Sequence, residues 1–89
     1  MKILKCAFAG TMESSDVYVE IEPCESGLNI ILNSVVEEQF GEKIKSVVLE
    51  VLAENSITCA NVRVVDRGAL ECVIRARTEA AVLRGKENV

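Results

Sequence analysis

The side chains best suited to chemistry lie in one short polar segment, Gly10-Thr11-Met12-Glu13-Ser14-Ser15-Asp16, which places three hydroxyls between two apolar stretches. Glycine, serine and aspartate are ordinary turn formers, so the segment reads first as an exposed loop in which a serine is solvent-facing punctuation. A serine or cysteine becomes a nucleophile when a general base stands beside it, and the usual base near neutral pH is histidine. The chain has no histidine, so no Ser-His or Cys-His pair can be assembled. The carboxylates lie where solvated faces and strand exteriors would put them, which leaves no obvious acid and base pair.

The four cysteines, Cys6, Cys24, Cys59 and Cys72, are 18, 35 and 13 positions apart, so no C-x-x-C pair exists to clamp zinc or run redox chemistry. All but Cys24 sit in apolar stretches, where free cysteine is expected to behave as a small buried hydrophobe. Ten basic against fourteen acidic residues give a net charge of −4, which repels nucleic acid and anionic membrane surfaces. Phe8, Tyr18 and Phe40 are the whole aromatic complement, too few for a stacking platform. There is no apolar run of the roughly 20 residues that a span needs and no secretory h-region, so the cytoplasm is the expected location.

These residues must be positioned by few elements, since 89 residues allow one core and one domain, 1–89. Lys2 to Ala9 reads as a half-buried strand. Asp16 to Glu22 alternates strictly, with Val17, Val19 and Ile21 on one face, the two-residue period of a strand with one wet side. A Pro23 to Gly27 turn leads to a third strand expected to bury Leu28, Ile30 and Leu32, which suggests an antiparallel meander. Ser34 and Glu37 have capping-box spacing. Behind them Val36, Phe40, Ile44, Val47, Val48, Val51 and Leu52 recur at helical steps as far as Asn55. Thr58 to Asp66 predicts a fourth strand and Ala69 to Arg84 a second helix, with Gly85 to Val89 a frayed tail. The expected fold class is α+β: two layers, a small, mostly antiparallel four-stranded sheet covered on one face by two helices, in the order βββαβα.

Three segments taken together, AGT-x-ESSD at Ala9 to Asp16, QFG at Gln39 to Gly41 and D-x-GALECV-x-RAR at Asp66 to Arg77, resemble the acyl carrier protein, or gamma chain, of citrate lyase. The resemblance runs from about Lys2 to Arg84. It implies a non-catalytic carrier whose Ser14 bears a phosphoribosyl dephospho-coenzyme A arm through a phosphodiester. It further implies that the arm holds acetyl and citryl thioesters while citrate is cleaved to acetate and oxaloacetate. The implied partners are the alpha (acyl transferase) and beta (citryl lyase) subunits and a prosthetic-group transferase, with no metal. Glu13 and Asp16 flank the anchor and are expected to keep the anionic arm off the carrier's own surface.

The residues alone leave alternatives open. Ser15 is as hydroxylic as Ser14 and both precede the strand, so only the family match separates them. Arg67, Arg75 and Arg77 could hold a phosphate of the arm or an acidic patch on a partner, although Glu71 and Glu79 offer Arg75 an i,i+4 helical pairing. The carrier subunit of malonate decarboxylase would keep the fold and change the acyl group. A small protein-interaction module without a prosthetic group would need no anchor at all.

Overall fold

The computed structural model of the protein describes residues 2–86. Strands β1 (Ala7–Gly10), β2 (Val17–Glu22) and β3 (Leu28–Ser34) are followed by helix α1 (Glu37–Glu54), strand β4 (Ala60–Asp66) and helix α2 (Glu71–Gly85). This is the expected order and layering, but the sheet is not a meander. Its strand order is β1-β2-β4-β3, with β1–β2 and β2–β4 antiparallel and β3–β4 parallel. The Pro23 to Gly27 turn therefore opens a split hairpin, and β4 occupies the gap.

Burial explains the insertion. In β4 the residues Val62, Val64 and Val65 are all buried, whereas in β3 Leu28, Asn29, Ile31 and Asn33 are exposed. The strand whose apolar residues are the more deeply buried takes the middle of the sheet, and the partly wet strand takes the edge. Parallel pairing of β3 with β4 requires a crossover, which the 18-residue α1 supplies. Leu28, expected in the core, thus lies at the exposed edge.

The helices cover one face. In α1 the buried residues Ile44, Val47, Val48, Val51 and Leu52 follow the predicted stripe, and each fully buried side chain of this kind is worth about 1.5–3 kcal/mol. Phe40, predicted to join them, is exposed. Helix α2 packs on β1, β2 and α1 through Ile74, Thr78, Ala81, Val82 and Gly85. The buried Thr78 hydroxyl donates to the Ile74 carbonyl at 2.7 Å, so its burial leaves nothing unsatisfied. Gly85, expected to start the frayed tail, instead closes α2. Its carbonyl accepts from the amides of Leu4 (2.9 Å) and Lys5 (3.2 Å), and a Cβ there would meet Ile21 at 3.2 Å and Ile3 at 3.3 Å. The rest of that tail, 87–89, lies outside the described residues.

Other expectations are corrected locally. The first strand begins at Ala7, because Leu4 and Lys5 spend their amides on Gly85. Cys6 and Cys72 are exposed, and Cys24 and Cys59 half-buried, all as free thiols, so none is a buried hydrophobe. Ser34 does not cap α1, whose first helical residue is Glu37 after Val36. The reach of the Glu37 side chain falls outside the described residues. The Ser34 hydroxyl accepts from the Val36 amide (3.1 Å) and donates to Asp66 Oδ2 (2.8 Å).

Asp66 is 1% exposed at the end of the central strand. Its other oxygen, Oδ1, accepts from the Ala69 amide at 2.9 Å, so one side chain fixes both the exit of β3 and the approach to α2. Removing it strands the Ser34 hydroxyl and the Ala69 amide together. Asp66→Ala is expected to destabilise the fold by about 2–4 kcal/mol, against about 1 kcal/mol for Ser34→Ala, read as the shift in urea midpoint.

Candidate functional site

The loop between β1 and β2 sits at the end of the sheet where β4 stops, and two backbone bonds lengthen that pairing. The Ser15 amide donates to the Arg67 carbonyl at 2.8 Å, and the Arg67 amide donates to the Asp16 carbonyl at 2.9 Å. The loop tip is a tight turn in which the Asp16 amide donates to the Glu13 carbonyl at 3.1 Å. Ser14 and Ser15 are its two central residues. Ser15 has φ of 64°, the left-handed setting that the second central position of a type II turn requires.

The two serines are therefore not equivalent. Both are exposed, but Ser15 is fixed by its left-handed backbone and its bond to Arg67. Neither hydroxyl makes a hydrogen bond to any described residue, so what sets Ser14 apart is a backbone without that constraint. A free hydroxyl on an open turn fits a bulky covalent group, because attachment breaks no existing contact.

Beneath the tip the loop is clamped by Asp16, whose carboxylate receives four donors. The Thr11 hydroxyl reaches Oδ2 at 2.6 Å and the Val17 amide reaches Oδ1 at 2.7 Å. Arg77, from α2, adds Nη2 to Oδ2 at 3.1 Å and Nε to Oδ1 at 3.3 Å. Hydrogen bonds from Thr11 and Val17, with the Arg77 guanidinium, lower the carboxyl from its ordinary 3.8 to about 2. Thr11 Oγ1 also accepts from the Glu13 amide at 3.2 Å, extending the clamp to the tip. Asp16 is thus not the free flanking charge that the sequence suggested. Its charge is neutralised within the fold, and Glu13 alone stands exposed beside Ser14.

Gly10 makes the clamp possible. At φ of +94° a Cβ would lie 1.8 Å from the Val17 carbonyl oxygen and 3.3 Å from Arg77 Cδ, so only glycine lets the two strand ends and the arginine close together. Sequence reasoning missed the roles of Gly10, Thr11 and Arg77. Their signal was the recurrence of AGT and RAR in one pattern, whose physical link spans 61 positions.

The three arginines divide. Arg75 does not use Glu71 or Glu79; it binds Glu50 through Nη2 and Glu54 through Nη1 (3.3 Å), joining the two helices. Arg77 holds Asp16. Arg67 is exposed, and its side chain has no partner among the described residues. The other two motif segments also meet: Phe40, Ile44, Ala69, Leu70 and Ile74 line an apolar groove of about 350 Å³ between α1 and the start of α2. No group of acidic, cysteine or histidine side chains among the described residues could hold a metal. No described helix is long and apolar enough to cross a membrane.

Comparison with known proteins agrees with this frame. A chain in the crystal structure of a Pseudomonas malonate decarboxylase hetero-tetramer in complex with malonate has the same fold, with a TM-score of 0.81, 21% identity and coverage of 94% of this chain and 87% of its own. The family model described as ACP, malonate decarboxylase delta subunit (MdcD), matches residues 5–85. Fold and family match together define an acyl carrier protein, a carrier and not a catalyst.

Sequence relatives narrow the class. The citrate lyase acyl carrier protein of Haemophilus influenzae (strain PittGG) is 53% identical over 89 residues, covering 100% of this chain and 93% of the relative. That of Escherichia fergusonii is 52% identical over 88 residues (98% and 91%), and that of Vibrio cholerae serotype O1 (strain M66-2) is 53% identical over 85 residues (94% and 87%). The chain belongs to the citrate lyase acyl carrier protein family.

The clamp makes two testable demands. Gly10→Ala drives its Cβ into a backbone carbonyl and is expected to cost at least about 3 kcal/mol in urea unfolding. Because folding lowers the Asp16 pKa, the Asp16 contribution is complete above about pH 4 and is lost as the pH falls through about 2. The stability difference between wild type and Asp16→Asn, followed by urea midpoints, should therefore be flat at neutral pH and shrink across that acid window.

Proposed function

We propose that the protein is the acyl carrier subunit of citrate lyase, carrying acetyl and citryl groups on a phosphoribosyl dephospho-coenzyme A arm joined to Ser14 by a phosphodiester. The observation that carries this reading is the free, exposed hydroxyl of Ser14 on a turn whose base is clamped to both layers of the fold. When attached, the arm supplies a terminal thiol for the acyl cargo.

The chain's own residues supply the mounting. Ser14 offers an exposed, unengaged hydroxyl at the first central position of the turn, while the Ser15 backbone and the Asp16–Arg77 pair stop the anchor point from wandering. A tethered group gains rate through its effective concentration at the partner sites, and a rigid anchor leaves all of the useful freedom in the arm. The partners on this reading are the alpha subunit that exchanges the acyl group, the beta subunit that cleaves it, and a transferase that loads the arm, all in the cytoplasm. Names of relatives above 50% identity favour citrate lyase. The malonate decarboxylase alternative draws on the family description and a structure at 21% identity.

Intact-mass measurement on carrier purified from its native host tests the reading. The wild type is expected to carry one coenzyme-sized addition, absent in Ser14→Ala and retained in Ser15→Gly. Glycine suits the left-handed position that serine occupies at a cost of roughly 1–2 kcal/mol, so Ser15→Gly should load fully and unfold at a higher urea midpoint. An addition that survives Ser14→Ala and disappears in Ser15→Gly would move the anchor. Acyl exchange supported by malonate decarboxylase partners, with none by citrate lyase partners, would reassign the complex.

A further inference from the structure

We propose that Arg67 is the counter-ion of the phosphodiester on Ser14, a site for the arm's first phosphate built into the carrier; the inference rests on the reading of Ser14 as the anchor. Position comes first. Arg67 is bound through both its amide and its carbonyl to Asp16 and Ser15, so its Cα is held directly across from the turn that presents Ser14. On this proposal the long, unpaired arginine side chain turns toward the oxygens of a phosphate esterified to the residue next to Ser15.

Elimination comes second. Of the three arginines between Asp66 and Thr78, Arg75 is consumed by Glu50 and Glu54 and Arg77 by Asp16. Asp16, the acidic group nearest to Arg67 along the backbone pairing, already has all four of its donors and needs no fifth. Arg67 is left as an exposed guanidinium with no partner among the described residues, in a chain whose net charge is −4. A bare cation beside the anchor is the exception in that field, and its planar fork matches phosphate oxygens.

The energetics suit a tethered ligand. An exposed ion pair between free partners contributes too little to hold a phosphate from solution. A phosphate already attached one residue away brings its own high local concentration, and weak pairing is then enough to bias its position. Arg67 would orient the root of the arm and screen it from Glu13, leaving the pyrophosphate and the thiol end free.

The test uses carrier loaded in its native host, with intact mass confirming the addition before each measurement. Phosphorus-31 NMR then separates the serine phosphodiester from the pyrophosphate of the same arm. In wild type the phosphodiester line should be broadened by the protein's tumbling and should sharpen as salt rises. In Arg67→Gln its transverse relaxation should fall at least about twofold and lose the salt dependence, with Arg67→Lys in between. The pyrophosphate lines should not change, nor should any line in Arg63→Gln, which alters a cation on the open face of the sheet paired with Glu20. A loaded Arg67→Gln carrier with a wild-type phosphodiester line overturns the proposal and leaves the anchor intact. A native wild-type chain with no addition overturns the carrier reading and this one with it.

Discussion

The carboxylate of Asp16 is the point on which the functional end of the molecule depends. Its four donors come from the loop itself, from the first residue of β2 and from helix α2. A single exposed ion pair would contribute little, but Asp16 is largely shielded and every lone-pair direction is used. A network drawn from three elements resists displacement because the loop cannot move without breaking bonds to a strand and a helix at once. Asp66 does the equivalent one strand away, joining β3 to the start of α2. Two carboxylates thus hold the two connections that flank Ser14.

This arrangement separates stiffness from reach. A carrier contributes no acid, base or nucleophile to the reactions of its partners, so selection on its fold concerns where the cargo starts and how freely it swings. Flexibility in the protein would spread the anchor over many positions and dilute the tethered group at each destination. Flexibility in the arm carries no such penalty, provided the arm can span the sites. The missing histidine, which rules out Ser-His and Cys-His pairs, is compatible with a carrier that supplies no catalytic side chain.

Where local pattern decides structure, the sequence could be read closely. The alternation of Val17, Val19 and Ile21 names the buried face of β2, and the steps from Ile44 to Leu52 name that of α1. Strand order was not legible, because it turns on competition between distant segments: β3 and β4 carry similar apolar patterns, and only packing makes those of β4 the more deeply buried. Arg75 shows the same limit. Its i,i+4 neighbours were acidic, yet the partners it uses lie 21 and 25 positions back on the other helix. At the candidate site the exposed polar loop was recognisable from its residues, whereas the clamp was not, since Thr11, Asp16 and Arg77 gain their meaning only when α2 folds over the strand ends.

The backbone shows why the connections at this end of the sheet are so short. Of the five described residues with positive φ, Gly10, Ser15 and Gly68 lie in the two connections that meet there. Left-handed residues make turns short, and short turns keep both connections close enough for the Ser15, Asp16 and Arg67 backbones to pair beyond the strands proper. Gly10 and Gly68 take that conformation freely, while Ser15 takes it at a cost. Strain of this kind persists where the surroundings over-determine the conformation, and here the bond to Arg67 on one side and the Asp16 clamp on the other do so. The backbone of residue 15 is thereby committed to shaping the turn, and Ser14 stands beside it at the first central position without that strain, its hydroxyl exposed.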